Sequence, residues 1–225
     1  MIPDTVLNFL EQLKNNNNRE WFAGNITNFR AVEQDVKSFF SELHNGLQQQ
    51  DSIEKMQIFR IYRDIRFSKD KTPYKQFFSA WYSRHKPFNR GSYYIHIEPG
   101  GSFVEGGFWE PDPKDLLRIR KEFELDDSEI RSIIADPDFK KYFTELQGEE
   151  LKTAPKDFNK NHPAIDLIRK KQFLIIRKFT DAEVAHKDFK NEVLLTFKAM
   201  RPFFNYMSDV LTTNLNGESM INMEK

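Results

Sequence analysis

The sequence predicts an α+β fold in which helices flank a central, mostly antiparallel sheet of about five strands. Three observations predict it: apolar residues recur at helical spacing near both ends, aromatic and β-branched residues alternate with polar ones in the middle, and no linker or repeat interrupts the 225 residues. We therefore expect one domain over residues 1–225, with long N- and C-terminal helices and a frayed polar tail at 213–225.

Two apolar stripes predict the N-terminal helices. The first helix is short, follows Pro3 and ends at the asparagine run 15–18, because asparagine competes for backbone hydrogen bonds and favours turns. Its apolar face comprises Val6, Phe9, Leu10 and Leu13. The second helix is longer, and its buried face comprises Phe29, Val32, Val36, Phe39, Phe40, Leu43 and Leu47.

Five segments have the composition of strands. From Gln57 the pattern alternates, so that Phe59 and Ile61 would point to one face of a strand at 59–67 and Arg60 to the other. The other predicted strands are rich in aromatic and β-branched residues, and lie at 76–83, 92–98, 103–109 and 172–179. Glu98-Pro99-Gly100-Gly101 suits a type II turn, which makes 93–109 a predicted hairpin.

The second half of the chain contains the remaining predicted helices. Asp112-Pro113 is a helix start, and His162-Pro163 opens a further helix. Short helices are predicted at 127–135 and 137–143. The last long helix is predicted from about Asp188 to Leu211, with a kink at Pro202.

Composition narrows the function classes. The 34 basic and 34 acidic residues cancel, so the molecule as a whole has no net attraction for nucleic acid or anionic lipid. Cysteine is absent, which excludes disulfides and thiolate metal sites, and no apolar run approaches the ~18 residues of a membrane span. Together with the absence of a secretory signal, this predicts a cytoplasmic protein without membrane partners. The scattered histidines predict no metal site, and no dinucleotide or phosphate-loop motif predicts a cofactor.

The segment 60–75, RIYRDIRFSKDKTPYK, contains six basic residues and two acidic ones. In a strand, Arg60, Asp64 and Arg66 would project from one face about 6–7 Å apart. Two guanidinium groups held by an intervening carboxylate can bind a phosphate or carboxylate through bidentate hydrogen bonds. Arg63 falls on the apolar side of the alternation, where it would need a partner.

These patterns define a candidate site for a small anionic ligand. His96 and Glu98 share one face of a predicted strand with Tyr94, and with Asp64 they are the candidate groups for proton transfer. The candidate ligand-binding residues are basic or aromatic and comprise Arg60, Tyr62, Arg63, Arg66, Lys69, Lys71, Tyr74 and Lys75.

Two other functions fit the same residues. Basic side chains interleaved with tyrosines on a sheet face are typical of single-strand nucleic-acid platforms, although zero net charge counts against that reading. Alternatively, the charges form an internal salt-bridge network that fixes the loop at Thr72-Pro73, and the protein is a structural or partner-binding module without a ligand.

The chain resembles the 2461 family of domains of unknown function from about Leu7 to Asn205. The segments with this resemblance are NNREWF at 17–22, FRIYRDIRFSKDKTPYK at 59–75, YIHIEPGG at 94–101 and HPAIDL at 162–167. It departs at Ile26, Phe29 and Asp157, where the family pattern usually has lysine, tyrosine and glycine. The resemblance implies no activity, but it implies that the basic and aromatic segment is the family's hallmark.

Overall fold

A computed structural model describes residues 1–221 and confirms the α+β fold. Its sheet is antiparallel and each strand pairs with the next one along the chain, in the order β1-β2-β3-β4-β5. The strands are β1 (Ile53–Ile58), β2 (Phe78–Arg84), β3 (Ser92–Ile97), β4 (Phe103–Phe108) and β5 (Phe173–Lys178).

Helices precede, interrupt and follow the strands along the chain. They are α1 (Asp4–Asn15), α2 (Arg19–Gly24), α3 (Ile26–Gln48), α4 (Pro113–Leu125), α5 (Ser128–Ala135), α6 (Pro137–Tyr142), α7 (Ile165–Ile168), α8 (Asp181–Ala185), α9 (Phe189–Ala199) and α10 (Arg201–Thr212). None of these described helices is long and apolar enough to span a bilayer.

The chain forms two compact units. The first contains Met1–Tyr82, Tyr94–Val104 and Lys178–Leu195, and the second contains Ser83–Tyr93, Glu105–Arg177 and the segment from Thr196 onward. Aromatic side chains fill both interiors, as their number in the sequence requires. In the first unit Phe9, Phe22 and Phe29 pack together, with Phe29 5.9 Å from Phe9 and 4.9 Å from Phe22 between ring centroids.

In the second unit, Tyr93 contacts two phenylalanines of the C-terminal helices. The ring centroids of Phe197 and Phe204 each lie 4.8 Å from that of Tyr93. Farther along the chain, Phe173 meets Phe123 edge to face at 5.8 Å. These rings are fully buried, so each unit has an apolar interior of its own.

Most predicted helices are confirmed, with local chemistry that explains their ends. The Asp112 side chain accepts hydrogen bonds from the backbone N–H groups of Lys114 and Asp115 at the start of α4. The predicted kink at Pro202 is a break: α9 ends at Ala199 and α10 begins at Arg201, with the proline in its first turn, where its missing N–H costs nothing. The sequence patterns missed α2 and α8, which are only one to two turns long.

Four of the five predicted strands and the hairpin are confirmed. The N–H of Gly101 donates to the carbonyl of Glu98 at 3.0 Å, and Gly100 has φ 69°, as the third position of a type II turn requires. The strand at 59–67 is wrong. The strand of this region is β1, and residues 59–77 are irregular apart from an isolated antiparallel bridge.

The structure also describes Asp157 and most of the C-terminal tail. Asp157 has φ 68°, a left-handed conformation that glycine adopts without strain, at a position where the resembling family usually has glycine. Of the tail predicted to fray, residues 213–221 form a turn in which Thr213 bridges Ser219, and residues 222–225 lie outside the described part of the chain. One domain over 1–225 stays a prediction.

Candidate functional site

Residues 59–75, here called the basic loop, fold back on themselves between β1 and β2. The loop closes at its base, where Tyr62 and Tyr74 form an antiparallel bridge and the N–H of Arg63 donates to the carbonyl of Pro73 at 2.9 Å. The residues between these pairs form a tip that has no regular secondary structure. Because the tip lacks regular backbone pairing, side-chain contacts must fix its conformation.

Tyr74 anchors the basic loop to the interior of the first unit. Its ring stacks on Phe22 at 3.9 Å, and the ring of Tyr62 meets it at 5.6 Å. The Asn17 side chain donates to the carbonyl of Tyr74 at 3.0 Å and accepts from its N–H at 3.2 Å. Tyr74 is buried, whereas Tyr62 is 45% exposed, so of the two tyrosines only Tyr62 offers an open aromatic surface.

Arg63 was expected to need a partner, because it lies on the apolar side of the alternating sequence pattern, and the structure shows several. Its guanidinium donates to Asp70 at 2.5 Å, to the carbonyl of Thr72 at 3.0 Å and to the Thr72 hydroxyl. The N–H of Thr72 in turn donates to Asp70 at 2.9 Å. The hydrogen bonds from Thr72 and Arg63 lower the pKa of Asp70 to about 2. Arg63 therefore holds the loop together.

Arg66 is also paired within the loop. It donates to both carboxylate oxygens of Asp64, the closest contact being 2.6 Å, and this hydrogen bonding is the largest cause of the lowered pKa of Asp64. The pair is exposed at the loop tip, beside a Phe67 ring that is 96% exposed. The ammonium of Lys71 donates a hydrogen bond to the carbonyl of Ile65 at 2.9 Å.

The predicted row of Arg60, Asp64 and Arg66 on one strand face is wrong, because no strand exists there. Asp64 bonds to Arg66 within the irregular tip of the loop. Arg60 has only a smaller, Coulombic influence on the pKa of Asp64. The two arginines therefore do not share one carboxylate as a clamp.

Arg60 and Lys75 differ from the paired cations of the loop. Neither side chain forms a hydrogen bond or ion pair with any described residue, and the same holds for the side chain of Lys69 at the exposed tip. The half-buried ammonium of Lys75 lies 5.2 Å from the ring centroid of Phe59 and 5.7 Å from that of Phe77. Burial, followed by the charge of Arg60, lowers the pKa of Lys75.

Tyr94, His96 and Glu98, here called the histidine relay, form a hydrogen-bonded row at the end of β3. Nε2 of His96 lies 2.9 Å from Oε2 of Glu98, and Nδ1 lies 3.2 Å from the Tyr94 hydroxyl. Burial lowers the pKa of His96 more than Glu98 raises it. A neutral His96 then donates from Nε2 to Glu98 and accepts at Nδ1 from Tyr94. Asp64, the third predicted catalytic residue, is not part of this row.

Aromatic rings connect Lys75 to the histidine relay. Phe77, which lies against the Lys75 ammonium, also contacts the His96 ring at 4.1 Å between centroids. Phe59, the second ring beside that ammonium, lies 6.4 Å from Tyr94. Lys75 and His96 are thus separated by a single ring. The sequence patterns placed Phe59 on the buried face of a strand and did not single out Phe77.

Other parts of the first unit contain clefts without the predicted residues. A cleft of about 240 Å³ is lined by Phe179, Ala182, Glu183, His186, Phe189 and Glu192. A second, of about 380 Å³, is lined by Asp4, Leu7, Asn8, Asp181, Ala182 and Ala185. Within residues 1–221, no cluster of three or more histidine, aspartate or glutamate side chains is arranged to hold a metal ion.

Comparisons with known proteins give one result. No curated protein and no solved structure matches the chain. The model of a family described as conserved hypothetical protein, DUF2461, matches residues 5–206, which include the basic loop and the histidine relay. The chain therefore belongs to the DUF2461 family.

Proposed function

We propose that the protein binds a small phosphate- or carboxylate-bearing ligand at Arg60 and Lys75. The observation that supports this is the contrast within one loop: Arg63 and Arg66 have acidic partners, whereas Arg60 and Lys75 have none among residues 1–221. A half-buried ammonium beside another cation is electrostatically unfavourable. An external anion would relieve that cost at both groups.

The two cations have complementary chemistry for such a ligand. Arg60 presents a planar guanidinium that can donate two parallel hydrogen bonds to a phosphate or carboxylate. Lys75 supplies a compact charge whose interaction with an anion is strengthened by the surrounding Phe59 and Phe77 rings, which reduce its contact with water. Exposed Tyr62 and Lys69 are peripheral contacts in this proposal.

The histidine relay adds the capacity for proton transfer next to the bound anion. Glu98 orients the His96 ring, and the neutral imidazole faces the Tyr94 hydroxyl through Nδ1. A histidine whose tautomer is set by a carboxylate is a common arrangement for general acid–base chemistry. We propose that His96, oriented by Glu98, transfers protons in any turnover of the ligand. Asp64 has no role in this proposal, because it is paired with Arg66.

The structural alternative explains part of the loop. Arg63, Arg66 and Lys71 bond to the loop's own acidic residues and carbonyl groups, as an internal network would. It gives no reason for the half-buried Lys75 to lack an acidic partner, whereas Arg60 is exposed to water. Nucleic-acid binding would use the same two cations and Lys69, but it draws most of its affinity from many phosphate contacts, which three unpaired cations in one loop of a neutral chain do not offer.

Thermal unfolding with increasing inorganic phosphate or citrate tests the proposal. Wild type is expected to show a saturable rise in Tm, because a ligand that binds only the folded state stabilises it. The variants Arg60→Ala and Lys75→Met are expected to weaken the apparent affinity at least tenfold. Arg66→Ala, which removes the same charge from the same loop, is the matched control and is expected to respond like wild type.

Two outcomes would overturn the proposal. One is a wild type whose Tm rises no more with phosphate or citrate than with chloride at equal ionic strength. The other is an equal loss of the response in Arg60→Ala and Arg66→Ala, which would indicate unspecific charge effects. A steeply salt-dependent retention of a single-stranded oligonucleotide by wild type would favour the nucleic-acid alternative.

We also propose that the protein is located in the cytoplasm, because its sequence contains no cysteine.

A further inference from the structure

We propose that the Lys75 amine is a nucleophile that forms an imine with a carbonyl group of the anionic ligand. This inference rests on the proposed function and specifies its substrate class. The geometry behind it is the contact of the Lys75 ammonium with two rings, 5.2 Å from the centroid of Phe59 and 5.7 Å from that of Phe77, without a carboxylate partner among the described residues. A charge that is removed from water is ordinarily paired with an opposite charge.

A lysine attacks a carbonyl only as the neutral amine, so its surroundings must disfavour the ammonium. Two conditions do this: contact with apolar groups in place of water, and a cationic neighbour. Lys75 has both, since burial is the larger cause of its lowered pKa and the charge of Arg60 is the second. The attraction of the Phe59 and Phe77 ring faces for a cation acts in the opposite direction. When an anion neutralises Arg60, the contribution of burial remains.

The reaction needs no redox partner. The nitrogen lone pair of Lys75 attacks the carbonyl carbon and forms the C–N bond, while the carbonyl oxygen takes up a proton to give a carbinolamine. Loss of that oxygen as water then forms the C=N bond. Both hydrogens of the water come, in net terms, from the amine, so one amine and one carbonyl give one imine and one water. The Tyr94 hydroxyl and His96, beyond the Phe59 and Phe77 rings, are the nearest proton-transfer groups we assign.

The substrate class follows from the different roles of Lys75 and Arg60 in this proposal. A neutral Lys75 no longer attracts an anion, so Arg60 must hold the charged end of the ligand. The carbonyl must then lie close to that charged end. The structure therefore favours a 2-oxo acid, or an aldehyde or ketone that carries a phosphate, over a neutral carbonyl compound.

Reductive trapping tests the inference on the whole protein. Wild type is incubated at pH 7 with pyruvate and sodium cyanoborohydride, which reduces an imine to a stable secondary amine, and the modified lysines are identified by peptide mass spectrometry. Lys75 is expected to be modified at least tenfold faster than Lys69 and Lys71, which are internal controls in the same loop. Acetone, in which a methyl group replaces the carboxylate, is expected to lose this preference, as is Arg60→Ala with pyruvate.

The outcome separates this inference from the function on which it rests. If phosphate stabilises wild type through Arg60 but pyruvate modifies Lys75 no faster than Lys69 and Lys71, the imine is wrong and anion binding stands. If phosphate gives no stabilisation either, both fail. Lys75→Arg keeps the charge at this position and is expected to retain a phosphate response while its loop shows no preferential modification. Preferential modification elsewhere in the loop of that variant would contradict the assignment.

Discussion

Replacing Arg84 by methionine is expected to lower the free energy of unfolding by about 3–5 kcal/mol. Arg84 is 1% exposed at the end of β2, and its guanidinium donates to the carbonyls of Arg90 and Phe204 at 2.9 and 3.3 Å. It also donates to the Ser208 hydroxyl at 3.1 Å. Methionine fills a similar volume but removes every hydrogen bond of the guanidinium, and a hydrogen bond that involves a charged group contributes about 1.5–3 kcal/mol. The Phe204 carbonyl keeps its bond from the Ser208 hydroxyl, and that hydroxyl keeps its bond from the N–H of Arg90, so the expected loss is less than the sum over all of these bonds.

Urea unfolding of wild type and Arg84→Met measures this effect. The Arg66→Ala variant, which removes an arginine that is 77% exposed and paired only at the loop tip, is expected to unfold within about 0.5 kcal/mol of wild type. Arg84→Lys is expected to recover little, because one ammonium cannot reach acceptors spread across a guanidinium fork. A loss below about 1 kcal/mol in Arg84→Met would show that the network contributes little to stability.

Replacing Glu105 by glutamine is expected to stabilise the protein by about 3 kcal/mol at pH 8 and by less than about 1 kcal/mol at pH 5. Glu105 lies in β4, is 7% exposed and accepts a hydrogen bond from Trp109. Burial raises the pKa of Glu105 to about 7. Glutamine keeps the shape of the protonated acid and has no charge to bury.

The sign of this pH dependence follows from proton binding. Because the folded-state pKa of Glu105 is raised, the folded protein binds more protons than the unfolded chain between about pH 4.5 and 7. The stability contributed by the protonated group is complete below that range and is lost as the pH rises through it. Unfolding free energies of Glu105→Gln and wild type across pH 5–8 check this, with the exposed Glu110→Gln as control. Parallel curves for Glu105→Gln and wild type would contradict a raised pKa.

The sequence predicted the fold correctly wherever a sequence pattern is compatible with only one local structure. The apolar stripe of α3 and the Pro99-Gly100 turn each specify a local structure, so the long helix and the hairpin were placed correctly. Residues 59–67 alternate like a strand but form a loop. Their conformation depends on side-chain bonds, such as Arg63 to Asp70, that a count of apolar and polar positions does not contain.

The sequence predicted which residues the candidate site contains, but not which of its cations have acidic partners. Arg60 and Lys75 were among the predicted ligand-binding residues, but only three-dimensional contacts distinguish them from the paired Arg66. Arg84 and Glu105 were missed because each resembles an ordinary charged residue on the wet face of a strand. Their burial arises from packing by distant parts of the chain, which the strand sequence alone does not show.

We propose above all that Lys75 is a half-buried ammonium whose missing counterion is an external anion beside Arg60. Nitrogen-detected NMR titration of the Lys75 side chain, assigned with Lys75→Arg, measures this directly. We expect a pKa below the ordinary lysine value that rises when inorganic phosphate is added, in wild type and in Arg66→Ala but not in Arg60→Ala. A Lys75 pKa at or above the ordinary value, unchanged by phosphate, would contradict the account.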